Sequence, residues 1–407
     1  MLSIGLMSGT SMDGIDAALL ETDGEFCIRD IGHMHFPYDA RTKHLLKGAE
    51  RAMHSAGGNI ALAQATYARS LQDYLTHELG LNQGTHQETT SFDEVTRLST
   101  ALHQSAVLSL LEQTKTKPSE VDVIGYHGQT LFHQPHQGIT YQLGDAQYLS
   151  DQLNISVVYD IRQHDIQHGG QGAPFAPIYH QALAIRDKTF PLTVVNCGGI
   201  ANISLILGDT LNDLIGFDTG PGNGLIDALI RQRTNGRETM DFNGQYGLQG
   251  MVDPLVLKTL LAEAIDGDYL LTPPPKSLDI RDLKLLPILN SLSIQDAAAT
   301  LEAFTAESIV QSLKQFKFPI PMRWVLAGGG WHNPVIKREL ITRLRAQLGD
   351  TVEIMTADAL QWNSDAMEAQ MMAYLAVRSL KNLPLSAPGT TGVPTPLSGG
   401  KIIHVLR

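Results

Sequence analysis

Two short glycine loops about half a chain apart constrain this sequence most. Ile215-Gly216-Phe217-Asp218-Thr219-Gly220-Pro221-Gly222-Asn223 begins as an apolar run and breaks into a loop at the carboxylate. Gly220, Pro221 and Gly222 turn the backbone sharply and are expected to leave N–H groups bare for phosphate oxygens. The helical run after them, Leu225 to Ile230, aims its N-terminus at the same point. At the N-terminus, Ile4-Gly5-Leu6-Met7-Ser8-Gly9 echoes Ile215 to Gly220, and Ile15-Asp16-Ala17 echoes Ile226-Asp227-Ala228 in step. Val123 to Gly128 and Val325 to Gly329 form a weaker second echo. Long-period self-similarity implies repeated architecture. The reading is two related lobes, each offering a glycine loop to a shared cleft.

Apolar runs between loop and helix signals give an α/β chain with two sheets of mixed direction. Strands are expected at residues 2–7, 14–20, 121–126, 155–160, 192–196, 201–206 and 324–327. Helices are expected at 42–53, 59–79, 93–115, 176–185, 253–264, 294–316 and 366–380. Asn82 to Ser91 reads as a polar loop, Thr272 to Lys276 as an exposed one, and Pro384 to Ser398 as an extended surface segment.

The first loop carries Gly9, Thr10, Ser11, Met12, Asp13, Gly14, Ile15 and Asp16. Its hydroxyls and glycine N–H groups suit the triphosphate of ATP, and a carboxylate would hold the accompanying Mg²⁺ through water. A tight hairpin turning at Asp13-Gly14 is the plain alternative. Asp218 replaces Met7 of the first copy, as a single asymmetric active site requires. Its natural role is a general base beside the phosphates, against simple capping of local N–H groups. Gly328, Gly329 and Gly330 leave a bare backbone for a flat group such as adenine. Arg162 and Gln171 flank a glycine-rich turn and suit a polar, anionic substrate. Glu368 is either an acid facing the cleft or a solvated helix carboxylate. His127, His133, His136, His164 and His168 lack the pattern of a metal cluster and read as hydrogen-bonding histidines.

The fingerprints of dinucleotide enzymes and P-loop ATPases are absent. A formal charge of −12, without basic stripes, argues against nucleic acid. Cys27 and Cys197 make no disulfide framework. Neither a signal peptide nor a membrane span is legible, so a cytoplasmic location is expected.

Taken in order, these stretches resemble the superfamily of sugar and acetate kinases, heat-shock chaperone ATPases and actin. More narrowly, Gly5 to Asp16 is similar to the opening signature of the anhydro-N-acetylmuramic acid kinases. The likeness continues through Gly125 to Thr130, Gly169 to Pro174, Asn196 to Asn202, Phe217 to Asn223 and Ala327 to Gly330. Met12 stands where Leu is usual and Cys197 where Ile is expected, and residues 232–290 match poorly. The resemblance implies hydrolysis of the 1,6-anhydro bridge of 1,6-anhydro-N-acetylmuramic acid and phosphorylation of O6 by ATP and Mg²⁺. The product, N-acetylmuramic acid 6-phosphate, feeds cell-wall recycling. Asp218 would activate water, and Gly9 to Asp16, with Gly220 and Asn223, would embrace the phosphates. Gly328 to Gly330 would back the adenine, while Arg162 and Glu368 match sugar-side motifs. Implied lobes are 1–154 and 155–365, with a helix and tail at 366–407 returning to the first; a homodimer is also within the family's range. Two other readings compete on this fold: a kinase of an ordinary hexose or small carboxylic acid, and a non-enzymatic ATP-switched module.

Overall fold

The computed structural model describes residues 1–9, 12–77, 90–265 and 268–405. The chain divides into two compact units. One comprises Met1–Phe175, Ala366–Ala387 and the segment from Val393; the other comprises Ala176–Asp365 and Pro388–Gly392.

The first unit holds β1 (Leu2–Ser8), β2 (Gly14–Thr22), β3 (Ile28–Pro37), α1 (Ala40–Ser55), α2 (Ile60–His77) and α3 (Phe92–Thr114). It continues with β4 (Val123–Gln134), β5 (Ile139–Leu143), α4 (Ala146–Leu153), β6 (Ser156–Tyr159) and α5 (Ile161–Gln167). The sheet runs β12-β6-β4-β1-β2-β3, where β12 is Lys401–Ile403, and β5 pairs with β4 off that path. Side chains alternate across the sheet. Ile4, Leu6 and Ile124 enter a core that includes Leu45, Leu46, Val107 and Leu110 of the helices. On the other face lies the last helix, Met367–Leu380. There a Cβ on Gly5 would overlap the Ala369 carbonyl and one on Gly125 the Met372 carbonyl. The Ser3 hydroxyl donates to the Ala373 carbonyl at 2.8 Å. These two glycines are therefore packing glycines, which let a helix backbone touch the sheet.

In the second unit, α6 (Ala176–Arg186) precedes β7 (Leu192–Cys197), β8 (Ile200–Ile206) and β9 (Leu214–Pro221). Then come α7 (Gly224–Arg233), α8 (Pro254–Glu263), α9 (Ile294–Gln311), β10 (Arg323–Ala327), α10 (Pro334–Leu348) and β11 (Glu353–Thr356); the last helix is thus α11. The sheet order is β11-β10-β7-β8-β9. Its core joins Val195, Phe217, Trp324 and Leu326 to Ile226, Leu301, Phe304 and Leu340. Asn333 caps α10 through its side-chain oxygen, with Pro334 in the first turn where a missing N–H costs nothing.

The two sheets are built alike, but the half-chain echo pairs the wrong strands. β1 lies antiparallel to β2 and parallel to β4, as β7 lies antiparallel to β8 and parallel to β10. The counterpart of β1 is thus β7, and β9 answers to β3. The weaker echo, β4 with β10, joins true counterparts.

Other expectations shift for physical reasons. Residues 155–175 belong with the first unit because β6 pairs in parallel with β4. The strand expected at 121–126 runs to Gln134 because its second half pairs with β5. Pro384 to Ser398 lies at the surface only in part: Pro388 and Pro394 to Pro396 are exposed, whereas Thr390 and Thr391 are fully buried and the Gly216 N–H donates to the Gly389 carbonyl at 2.8 Å. Lys276, placed in an exposed loop by its prolines, is buried. Most of the polar loop at Asn82 to Ser91 lies outside the described residues.

Candidate active site

In the first unit, the loop joining β1 to β2 is held from below. The Gly9 carbonyl accepts the Met12 N–H at 3.1 Å and the Gln129 amide at 2.8 Å. Gln129 is fully buried, and its Oε1 has no partner among the described residues. Met12 adopts a positive φ of 54°, with its side chain sunk into the core beside Ile15, so both would offer a ligand backbone alone. A Cβ on Gly14 would press on the Phe36 carbonyl, which accounts for that glycine by strand packing. Asp13 is exposed, and the Asp16 Oδ1 meets His35 Nδ1 at 2.8 Å. Thr10 and Ser11 lie outside the described residues.

On α5, Arg162 donates from Nε to His127 Nε2 at 2.8 Å and from Nη1 to the Gly172 carbonyl at 2.8 Å. His127 Nδ1 sits 2.7 Å from the Gly128 carbonyl. These partners require a neutral imidazole with the proton on Nδ1. Burial and the adjacent Arg162 charge hold its pKa well below the usual range, consistent with that tautomer. The guanidinium also lies 5.9 Å from the Phe175 ring. The glycine turn beyond it is built around buried Asp165, which accepts the Gly172 N–H at 2.7 Å. A Cβ at Gly170 would overlap that carboxylate, so the turn's glycines serve its own fold and leave Gln171, half-buried, at its tip. Glu368 opens α11 and reaches solvent. Desolvation by the protein around it raises its pKa; Arg162 opposes the shift, and the Asp16 and Asp13 carboxylates add to it. Arg162, Asp13 and Asp16 therefore all act on Glu368, which their sequence separation hides.

In the second unit, Asp218 sits on β9 opposite Asn202, 9 % exposed. Its Oδ2 accepts the Leu278 N–H at 2.8 Å, its N–H donates to the Lys276 carbonyl at 3.2 Å, and its carbonyl accepts the Tyr269 hydroxyl at 2.8 Å. The capping and catalytic readings of this carboxylate are thus compatible. Lys276 has its ammonium over the Tyr269 ring at 4.6 Å and the Phe217 ring at 5.2 Å. Burial lowers its pKa to about 8, against the pull of Asp218.

The N–H groups after Asp218 are not bare. Gly222 donates to the Gly199 carbonyl at 2.9 Å, Asn223 to the Gly198 carbonyl at 2.8 Å and Gly224 to the Gly199 carbonyl at 3.2 Å. A Cβ on Gly222 would overlap the Gly198 carbonyl. The loop is locked to the β7–β8 turn, and its donors are spent there. Gly220 has φ 146° with Ser308 against it, also a packing position. The triple glycine divides similarly: Cβ atoms on Gly328 and Gly330 would run into Asn196 and Cys197 of β7, whereas Gly329 faces open space. The small Sγ of Cys197 fills the gap beside Gly330, and burial pushes that thiol up to about 12.

Sequence reasoning missed Lys276, Tyr269 and Leu278, which surround Asp218 from the 232–290 stretch, where none of the motifs that carried the resemblance lies. One signal was available: Lys276 is the sole charge between Asp268 and Asp279. Gln129 lies within the Gly125 to Thr130 motif, where nothing in the sequence alone assigns it a role.

The profile of the family described as anhydro-N-acetylmuramic acid kinase matches residues 54–404. A protein of that name from Rhizorhabdus wittichii is 41 % identical over 98 % of both chains. Its namesake in Zymomonas mobilis is 39 % identical over 100 % of both. A ROK family glucokinase from Streptomyces griseus, solved with glucose and AMPPNP, is a looser structural neighbour. It shares 12 % identity over 92 % of this chain and 99 % of its own, with a TM-score of 0.38.

Proposed function

Since the chain belongs to the anhydro-N-acetylmuramic acid kinase family, we propose that it uses ATP to open the 1,6-anhydro bridge of 1,6-anhydro-N-acetylmuramic acid and phosphorylate O6. The observation that carries the assignment of roles is Asp218, a buried carboxylate fixed at its backbone and at Oδ2 by residues 269–278. Asp218 takes a proton from water as the water oxygen bonds to the anomeric carbon. The C1–O6 bond breaks, O6 bonds to the γ-phosphorus, and ADP departs. No covalent enzyme intermediate is needed, and the proton ends on Asp218.

The substrate's name specifies a carboxylate, and Arg162 would be the cation that meets it. Its Nε and Nη1 are oriented by neutral His127 and the Gly172 carbonyl, so the guanidinium is pre-set rather than floppy. Glu368, with its raised pKa, is suited to hydrogen-bonding sugar hydroxyls. Gly9 to Asp16 would meet the phosphates, and Asp13 and Asp16 would reach Mg²⁺ through its water shell, which needs only one or two carboxylates. Gly329 is the glycine suited to lie against adenine. Gly220 and Asn223 would contribute through position and side chain rather than through the N–H groups of the turn. Among the described residues no helix is long and apolar enough to cross a membrane. Cytoplasmic placement, where ATP is made, and no nucleic-acid partner complete the reading.

The test is product analysis by mass spectrometry with ATP, Mg²⁺ and the anhydro sugar, set beside N-acetylglucosamine and acetate. A sugar 6-phosphate from the anhydro substrate alone supports the reading. Phosphorylation of the plain sugar or acid instead would remove it.

A further inference from the structure

Lys276 has no part in the chemistry just described, yet its placement is costly. An ammonium group is poorly suited to burial, and a Met of similar length would fill the space without that penalty. The charge is compensated by two carbonyls and two aromatic faces: Nζ donates to the Tyr269 carbonyl at 2.7 Å and the Leu270 carbonyl at 3.2 Å, between the Tyr269 and Phe217 rings. The turn Tyr269–Leu271 that it grips is not held by packing alone. A cavity of about 360 Å³, bordered by Leu261, Ala262 and Ile265, lies against it.

Residues 269–278 hold Asp218 from both ends of the segment that the lysine closes. The Tyr269 hydroxyl, the Lys276 carbonyl and the Leu278 N–H hold the carbonyl, the N–H and Oδ2 of Asp218 respectively. One ammonium thus closes a loop whose two ends grasp the same carboxylate residue. The titratable groups facing it are Asp218 from β9 and Tyr269 from the turn, with Asp282 acting on Tyr269 in its turn. We propose that Lys276 is a positioning residue for Asp218, fixing the carboxylate's geometry through the 269–278 loop while its charge acts on that carboxylate. The proposal rests on the reading of Asp218 as the base.

The experiment is the pH profile of kcat for Lys276→Met, Lys276→Arg and Asp218→Asn, with melting temperature recorded for each. A base must be ionised to act, and an adjacent cation lowers its pKa. Removing that cation therefore moves the acid limb to higher pH. Lys276→Met is expected to lower kcat roughly 10- to 100-fold and shift the acid limb up by about one pH unit. KM for both substrates should stay within about threefold, because the ground state does not use the lysine. Lys276→Arg should restore the limb to near its original pH. An acid limb unmoved in Lys276→Met, whether or not kcat falls, overturns the proposal while leaving the base assignment intact. Full activity in Asp218→Asn overturns both. Should Lys276→Met not fold, Lys276→Gln removes the charge while keeping hydrogen bonds, and its profile is read by the same criteria.

Discussion

The loop after β1 and the loop after Asp218 look like copies in sequence and differ in what their backbones do. In the first, Gly9 contributes its carbonyl to Met12 and Gln129, and the loop is supported from beneath. In the second, three successive N–H groups from Gly222 to Gly224 are already bound to the β7–β8 turn. The first loop is held from beneath through its Gly9 carbonyl; the second is a clasp that closes on the β7–β8 turn and sets the entry to α7. Glycine content cannot separate these cases. Hydrogen-bond accounting can, since a donor already paired offers a ligand little.

The largest expected effect lies at the carboxylate just ahead of the clasp. Asp218→Asn should lose about 10³-fold or more in kcat, with a melting temperature within a few degrees of wild type. An equally active variant would make the two loops equivalent after all. Next comes the clasp itself. Gly222→Ala forces a Cβ into the Gly198 carbonyl and should cost about 3 kcal/mol, read as a melting temperature roughly 5–10 °C lower. Unchanged melting would show that the Gly198–Gly222 contact is not tight. Gly329→Ala sharpens the contrast, because nothing lies near its Cβ. Stability should change by less than about 0.5 kcal/mol, whereas KM for ATP rises about fivefold if adenine lies there.

The last prediction concerns pH. Glu302 on α9 is fully buried, and desolvation pushes its pKa to about 9; Asn333 opposes the shift and Asp241 adds to it. An acid whose folded pKa lies above its unfolded value holds its proton in the native state after the unfolded chain has released it. Stability therefore falls as pH rises from about 4.5 toward 9. Glu302→Gln removes that loss, so its melting temperature should decline less than that of wild type between pH 6 and 8. Parallel curves would mean that Glu302 is ionised in the folded protein.

Much of this was legible in the sequence. Apolar periodicity places α1, α2 and α3 to within a few residues, and Gly9, Gly220 and Gly328 fall at strand ends. The order of the sheets was not legible. A run such as Ile-Gly-Phe or Ile-Gly-Leu reports that a strand is buried, but not which neighbour it pairs with, so β9 passed for the mate of β1. The side chains around Asp218 were hidden for a related reason. Pro273 to Pro275 mark a chain break, which is usually exposed, but a break gives no sign of which way the next side chain turns. Lys276 turns inward because two carbonyls and two rings await it, partners that exist only once Tyr269 and Phe217 are brought together.

The central claim is that Asp218 activates water for attack on the anomeric carbon while O6 goes to phosphorus. The measurement that meets it most directly is turnover of the anhydro sugar with ATP and Mg²⁺ in H₂¹⁸O, with rapid mass spectrometry of the product from wild type and Asp218→Asn. The account predicts one ¹⁸O at the anomeric position, none in the phosphate, and near-complete loss of this product in the variant. A phosphate carrying ¹⁸O, or undiminished product from Asp218→Asn, would contradict it.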